Sequence, residues 1–332
     1  MRVVICTGIS GSERREYLRE VADYASSKGK ELILIDMWEK ICEVAEDDVY
    51  EATILNLTED KRMGFLENAF DVTARELRKM RTEEKNSEKC VVVAAHACFH
   101  WRSDYLKAFP DRMLSNISPD GFITIIHNIK DIKNNLDTNS SHKFTGTTET
   151  DILYWQNREI DETRNWANNL GLKKYYCAVA RNEPAETLYK ILFEGDRKKI
   201  YFSYPMSYSS EREEAQKLIG KLREMGYIVF DPGSIDDIKY VEKLLESKPG
   251  EKLYEDLVRN VEDQTVKIDY LLIEQISVGV ICEMVHGHQN GKKVYALWLS
   301  DKEPSPFFVY HCHNKMFFRE ENELLDYLKK YE

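Results

Sequence analysis

The chain has 332 residues, with 47 Lys and Arg against 58 Asp and Glu, a net charge of −11 and an apolar share of 42%. That length is large for a single hydrophobic core and predicts two domains. The acidic balance argues against nucleic acid as a partner, which needs clustered cations, but it leaves room for a small phosphorylated ligand held by a few donors.

No apolar run is long enough to span a bilayer, so no membrane partner is expected. The opening "MRVVICTGIS" reads as a first strand, not as a cleavable signal. Seven cysteines (Cys6, Cys42, Cys90, Cys98, Cys177, Cys282 and Cys312) are scattered without CxxC spacing. Such usage fits reduced thiols and a cytoplasmic location.

In chain order, "RVVICT" predicts a strand, "REYLREVADYASSKG" a helix and "ELILID" a second strand. An amphipathic stretch over residues 62–84 leads to "CVVVAAHA", and "GFITIIH" and "KKYYCAVA" are two more buried-strand patterns. Residues 134–150, "NNLDTNSSHKFTGTTET", lack periodicity and predict a loop or lid. The helix "ILYWQNREIDETRNWANNLG" follows and ends at Gly171.

A charged joint, "EGDRKK" (194–199), precedes a fresh strand, "IYFSYPM", the helix "EREEAQKLIGKLREMG" and the strand "YIVFDP". Apolar β-branched strands alternating with helices imply an α/β chain of two Rossmann-like, three-layer domains with mostly parallel sheets, 1–196 and 197–332.

"GISGSERR" (8–15) lies between a predicted strand and a predicted helix, where backbone N–H groups can cradle phosphate. The segment resembles a nucleotide-kinase P-loop, and the chain up to about residue 195 resembles the adenylate-kinase-like group. "VVVAAHA" and "RNEPAETLYKIL" are further points of likeness. The resemblance implies a nucleotide as possible cofactor, bound at Gly8, Gly11, Ser12 and Arg14.

Against GxxxxGK[ST], Gly8 matches, but Glu13 stands for the second glycine, Arg14 for the lysine and Arg15 for Ser/Thr. That leaves no hydroxyl for Mg²⁺ and sets a carboxylate where a phosphate would lie. Intact kinase chemistry, binding without turnover and a structural relic all stay open. His96 and His100 fit polar strand-end residues better than catalytic ones.

In the C-terminal half, Glu283 is an acid inside the apolar, glycine-bearing run "ISVGVICEMVHGHQNGKKVYALW" (276–298). "IYFSYPMSYSSEREEAQKLIGKLREMGYIVFDP" resembles the opening of the nucleoside 2-deoxyribosyltransferase family. "SVGVICEMVHGHQNGKKV" resembles that family's signature, with Ser277, Gly279, Val280, Glu283, Gly291, Lys292 and Val294 on matching positions. Ile281, Val285 and Lys293 depart from it.

The resemblance spans about residues 199–300. It implies cleavage of the base–sugar bond with Glu283 as nucleophile. Physically, a carboxylate beneath the ring can stabilise an oxocarbenium-like C1′ or bond to it, dividing one difficult displacement into two. Without the resemblance, Glu283 is an ordinary acid near a helix start.

Within the family, a serine at the position of Ser277 implies a nucleoside 5′-monophosphate, because a carboxylate there would repel phosphate. Gly279, Ser207 and Arg212 are further candidates for binding substrate, and Tyr201 and Tyr204 for positioning the sugar or carboxylate. The serines of "SYSSER" serve equally as helix caps.

For the assisting acid two registers compete. If "DYLLIEQ" is a helix segment, Asp269 takes the role. If "YLLIEQI" is the strand before "SVGV", Asp263 takes it. The local pattern favours Asp269.

His286, His288, His311, Cys312 and His313 show no ordered ligand spacing, so no metal is expected. The reading is therefore a nucleotide N-glycosidase or deoxyribosyltransferase whose cleavage needs no cofactor. Its expected partner is a small-molecule nucleotide, and the resemblance implies a homo-oligomer. A nucleotide kinase, a catalytically silent nucleotide sensor and an NAD-type glycohydrolase are the alternatives.

Overall fold

The computed structural model describes residues 1–45, 54–83, 89–101, 104–109, 111–138, 147–172, 175–205, 209–235, 268–274, 278–299 and 302–332. Met1–Phe193 lie in one compact unit; Glu194–Ser234 and the described residues from Ile268 to Glu332 lie in a second. Both units are α/β, each with a five-stranded parallel sheet.

The first unit runs β1 (Arg2–Thr7), α1 (Arg14–Ser27), β2 (Glu31–Asp36), α2 (Met37–Val44), α3 (Glu59–Glu83) and β3 (Lys89–Ala94). It continues through β4 (Cys98–Trp101), β5 (Asp104–Lys107), α4 (Arg112–Ile117), β6 (Gly121–Ile126), α5 (Ile129–Thr138), α6 (Glu149–Asn169), β7 (Tyr176–Ala180) and α7 (Ala185–Phe193). Its sheet order is β2-β3-β1-β6-β7, with β4 and β5 as a separate antiparallel pair. Val3, Val4, Ile5 and Cys6 are all buried, as a central strand enclosed on both faces requires.

The expected loop over 134–150 is corrected at both ends. Its first residues, through Thr138, belong to α5, because Ile129, Ile132 and Leu136 form a buried stripe at helical spacing. Its last residues open α6, where the Thr148 hydroxyl accepts from the Asp151 N–H and Asp151 accepts from the Thr148 N–H. Residues 139–146 lie outside the described residues.

The second unit runs β8 (Lys199–Ser203), α8 (Ser209–Glu224), β9 (Ile228–Phe230), β10 (Ile268–Glu274), α9 (Val278–Gln289), β11 (Lys293–Leu297), α10 (Pro306–His311), β12 (Phe317–Phe318) and α11 (Glu321–Tyr331). Its sheet order is β12-β11-β10-β8-β9. From β8 the chain first adds β9 on one side and later β10 on the other, so β8/β10 is the topological switch point.

Alternation along β8 serves two purposes. Ile200, Phe202 and the following Tyr204 enter a core with Leu218, Leu222 and Leu324, contributed by α8 and α11. Tyr201 and Ser203, the intervening residues, are also buried and face the other way. Among the described residues, no helix is long and apolar enough to cross a membrane.

Candidate active site

Tyr201 and Ser203 converge on one acid. The Tyr201 hydroxyl donates to Glu283 Oε1 at 3.0 Å, and the Ser203 hydroxyl donates to Glu283 Oε2. Both hydroxyls stand on one face of β8, two residues apart, and Glu283 comes from α9, which follows β10. The carboxylate therefore sits at the carboxyl end of the sheet at the β8/β10 switch point, where open α/β sheets bind ligands.

Glu283 lies more than one turn beyond Val278, not at the start of the helix as expected. The apolar run from Val278 is itself helical, with Val280 and Met284 buried. At that depth the helix dipole gives a carboxylate little. Burial dominates instead and raises the Glu283 carboxyl above the usual range, while the Ser203 and Tyr201 hydroxyls pull it back.

The structure corrects the preferred assisting acid. Residues Ile268–Glu274 form strand β10, so the helical register for "DYLLIEQ" does not hold. Asp269 stands beside the irregularity between Ile268 and Tyr270, at the level of Lys199 and Ile200, whereas Ser203 pairs with Ile273. Four strand residues separate those levels by about 13 Å, leaving Asp269 at the amino end of the sheet. β-branched and aromatic content outweighed the local likeness to a helix. Asp263, the other candidate, lies outside the described residues, as do Ser277 and Ser207.

Tyr204 is also corrected. It belongs to the core on the opposite face of β8, and its hydroxyl donates to Asp231 Oδ1 at 2.9 Å. Asp231 further accepts from the Gly233 N–H at 2.8 Å and from Gln216. Arg212 is in the first turn of α8, and its charge slightly offsets the burial that raises the Tyr204 phenol. Gly279 lies in the first turn of α9 and is exposed.

Ser203 escaped the sequence reading. Its signal was period two: on a strand, the residue two beyond Tyr201 shares its face.

The N-terminal loop is arranged differently from the phosphate cradle expected of it. The Gly8 N–H donates to Glu159 Oε1 at 2.9 Å, and Arg14 Nη1 turns onto the carbonyls of Gly8, at 2.7 Å, and Ala95. Ser12 is buried, with no hydrogen-bond partner for its hydroxyl, and the Gly11 carbonyl accepts from Asn135 Nδ2 at 2.9 Å. The Gly8 amide and Arg14 Nη1 are thus engaged within the chain, and the Ser12 hydroxyl is enclosed.

Glu13 has a left-handed backbone, at φ 53°, and its carboxylate takes Asn135 Nδ2 and Arg181 Nε at 3.1 and 3.2 Å. Arg15, at the Ser/Thr position, pairs with Asp36 at 2.8 Å and Glu39 at 2.7 Å.

The histidines are packed among rings. His100 stacks on Tyr105 at 4.9 Å, His96 contacts Phe99 at 5.3 Å and His288 contacts His311 at 4.9 Å. Among the described residues, no group of three His, Cys, Asp or Glu side chains could hold a metal ion.

No protein-family model matches the chain, and no curated protein matches it. Solved structures similar to it in part include the following. A 2-deoxyribosyltransferase from Bacillus psychrosaccharolyticus is 15% identical over 40% of this chain and 92% of that one, with a TM-score of 0.31. A conserved protein from Enterococcus faecalis V583 is 14% identical over 40% and 98%, with a TM-score of 0.28. Shikimate kinase from Bacteroides thetaiotaomicron is 10% identical over 67% and 98%, with a TM-score of 0.32. These are weak likenesses of fold.

Proposed function

We propose that the second unit is a nucleotide N-glycosidase, or a deoxyribosyltransferase, with Glu283 as its nucleophile. The observation that carries this reading is a desolvated carboxylate at a switch point, with each oxygen held by a separate hydroxyl. Such a group is oriented before substrate arrives, and its remaining lone pairs are free to meet C1′.

In the proposed reaction a Glu283 oxygen bonds to C1′ as the C1′–N bond breaks, and the base leaves with that electron pair and takes up a proton. Water then attacks C1′, gives up a proton and releases the sugar phosphate, regenerating the carboxylate. A nucleoside accepting the sugar in place of water would make the same site a transferase. Tyr201 and Ser203 fix which lone pairs face the ring and offset part of the upward shift that burial gives the acid. The 5′-monophosphate as substrate and homo-oligomeric assembly are what the resemblance to the deoxyribosyltransferase family implies.

The test is to incubate the protein with deoxyribonucleoside and ribonucleoside 5′-monophosphates and with NAD, and to follow free base by chromatography beside Glu283→Gln. Base release from a monophosphate that falls at least about 10³-fold in the variant is expected. Release only from NAD would transfer the reading to the glycohydrolase alternative. Undiminished release by Glu283→Gln would remove the nucleophile, and no release from any substrate would remove the enzyme.

A further inference from the structure

Glu159 lies in the middle of α6 and is wholly buried. Its Oε1 accepts from the Gly8 N–H at 2.9 Å and the Ala97 N–H at 2.8 Å, and its Oε2 accepts from the Cys98 N–H at 2.8 Å. Gly8 follows β1, Ala97 lies in the connection after β3 and Cys98 opens β4, so the three amides come from the loops that leave two neighbouring strands of the parallel sheet. Converging backbone N–H groups at that place form an anion nest. Here the anion belongs to the chain itself.

Gly8 itself is closely packed. A Cβ on Gly8 would stand 2.9 Å from the Ile125 carbonyl and 3.0 Å from Ser12 Oγ. The Arg14 guanidinium, which in a phosphate cradle would face the ligand, spends Nη1 on two carbonyls of the loop. A hydroxyl chain ties α6 down beside the carboxylate: Thr163 donates to the Glu159 carbonyl at 2.8 Å, Thr7 meets Thr163 at 2.7 Å, and Thr7 meets Thr124 at 2.9 Å. Burial, with Glu159 adding to it against Arg14, pushes the Cys6 thiol up to about 12, so no thiolate competes for the amides.

We infer that the Glu159 carboxylate is an internal replacement for a bound phosphate, which closes the N-terminal glycine loop to phosphate ligands and uses it to lock α6 onto the β1 and β3 ends. The loop keeps the anion chemistry of a P-loop and turns it to a fixed intramolecular contact. This inference concerns the first unit alone and is independent of the reading of Glu283.

The test uses the full chain labelled with ¹⁵N. The amide protons of Gly8, Ala97 and Cys98 are expected at low field with slow exchange, and unmoved by inorganic pyrophosphate or Mg·ATP. Saturable movement of those three resonances with either compound would overturn the inference. Glu159→Ala is expected to lower the melting temperature, and added formate, a free carboxylate, to restore part of it saturably in the variant but not in the parent. Loss of stability without formate rescue counts against the anion role. Should Glu159→Ala not fold, Glu159→Gln supplies the same readout: at least one of the three amide protons moves upfield and exchanges faster, and unchanged amides refute the contact.

Discussion

Two glutamates, one in each unit, occupy comparable places at the carboxyl ends of parallel sheets and are held by opposite means. Glu159 is saturated by three backbone amides and has no exposed surface. Glu283 is partly buried and held by two side-chain hydroxyls. Burial raises both carboxyls, against amides and Arg14 in one case and hydroxyls in the other. Backbone amides cannot turn aside without moving strand ends, whereas hydroxyls rotate with their side chains. An acid held by amides therefore suits architecture, and one held by hydroxyls suits chemistry.

The comparison can be broken most decisively at Glu283. Glu283→Gln is expected to lower base release at least about 10³-fold, near 4 kcal/mol of transition-state stabilisation, with little loss of fold. Measured kcat/KM alongside circular dichroism checks both halves. At Glu159 the expectation reverses: Glu159→Ala strands three buried amides, costing about 3–5 kcal/mol in urea unfolding of the first unit. If the two substitutions had similar effects on stability, the division of roles would fail.

A finer cut comes from the two hydroxyls. Tyr201→Phe and Ser203→Ala each remove a contact that lowers the Glu283 pKa. Each is therefore expected to move the acidic limb of the pH–rate profile to higher pH and to reduce kcat about 10–100-fold, roughly 1.4–2.7 kcal/mol. An unshifted limb would mean that neither hydroxyl tunes the acid.

Stability should follow the same electrostatics. Because the folded Glu283 binds its proton more tightly than the unfolded chain does, its favourable contribution is present at low pH and lost as pH rises through the folded pKa. Glu283→Gln is then expected to stabilise the second unit at neutral pH by about 0.5–2 kcal/mol, with the gain vanishing in acid. Thermal scans across pH measure it. The smallest effect belongs to Glu13→Gly. It relieves a left-handed non-glycine worth about 1–2 kcal/mol but forfeits the Arg181 contact, so the net change should stay within about 1 kcal/mol.

Both glutamates were legible in the sequence by the same sign, an acid set in an apolar pattern, yet only one was noticed. Glu283 interrupts a continuous apolar run. Glu159 sits in the stripe Ile152, Trp155, Glu159, Thr163, Trp166, whose spacing marks the buried face of a helix. Taking the segment only as a helix that ends at Gly171 passes over the acid on its inner side. What the sequence could not reveal was the partner set, because Gly8, Ala97 and Cys98 offer backbone atoms that no residue type advertises. The strand at Ile268–Glu274 was misjudged for a related reason: a short apolar run fits helix and strand alike until its neighbours in the sheet are known.

The alternation along β8 binds the two faces of the second unit into one mechanical fate. Ile200 and Phe202 are anchored in the core beneath α8 and α11, and Tyr201 and Ser203 can reach Glu283 only while those anchors hold. A one-residue slip would exchange the faces entirely, sending both hydroxyls into the core. Smaller disturbances of the core would be felt as a change in acidity at Glu283. If Glu283 is the proposed nucleophile, drift in a distant leucine of α11 would thus be read out, through a single strand, as a shift in the pH dependence of base release.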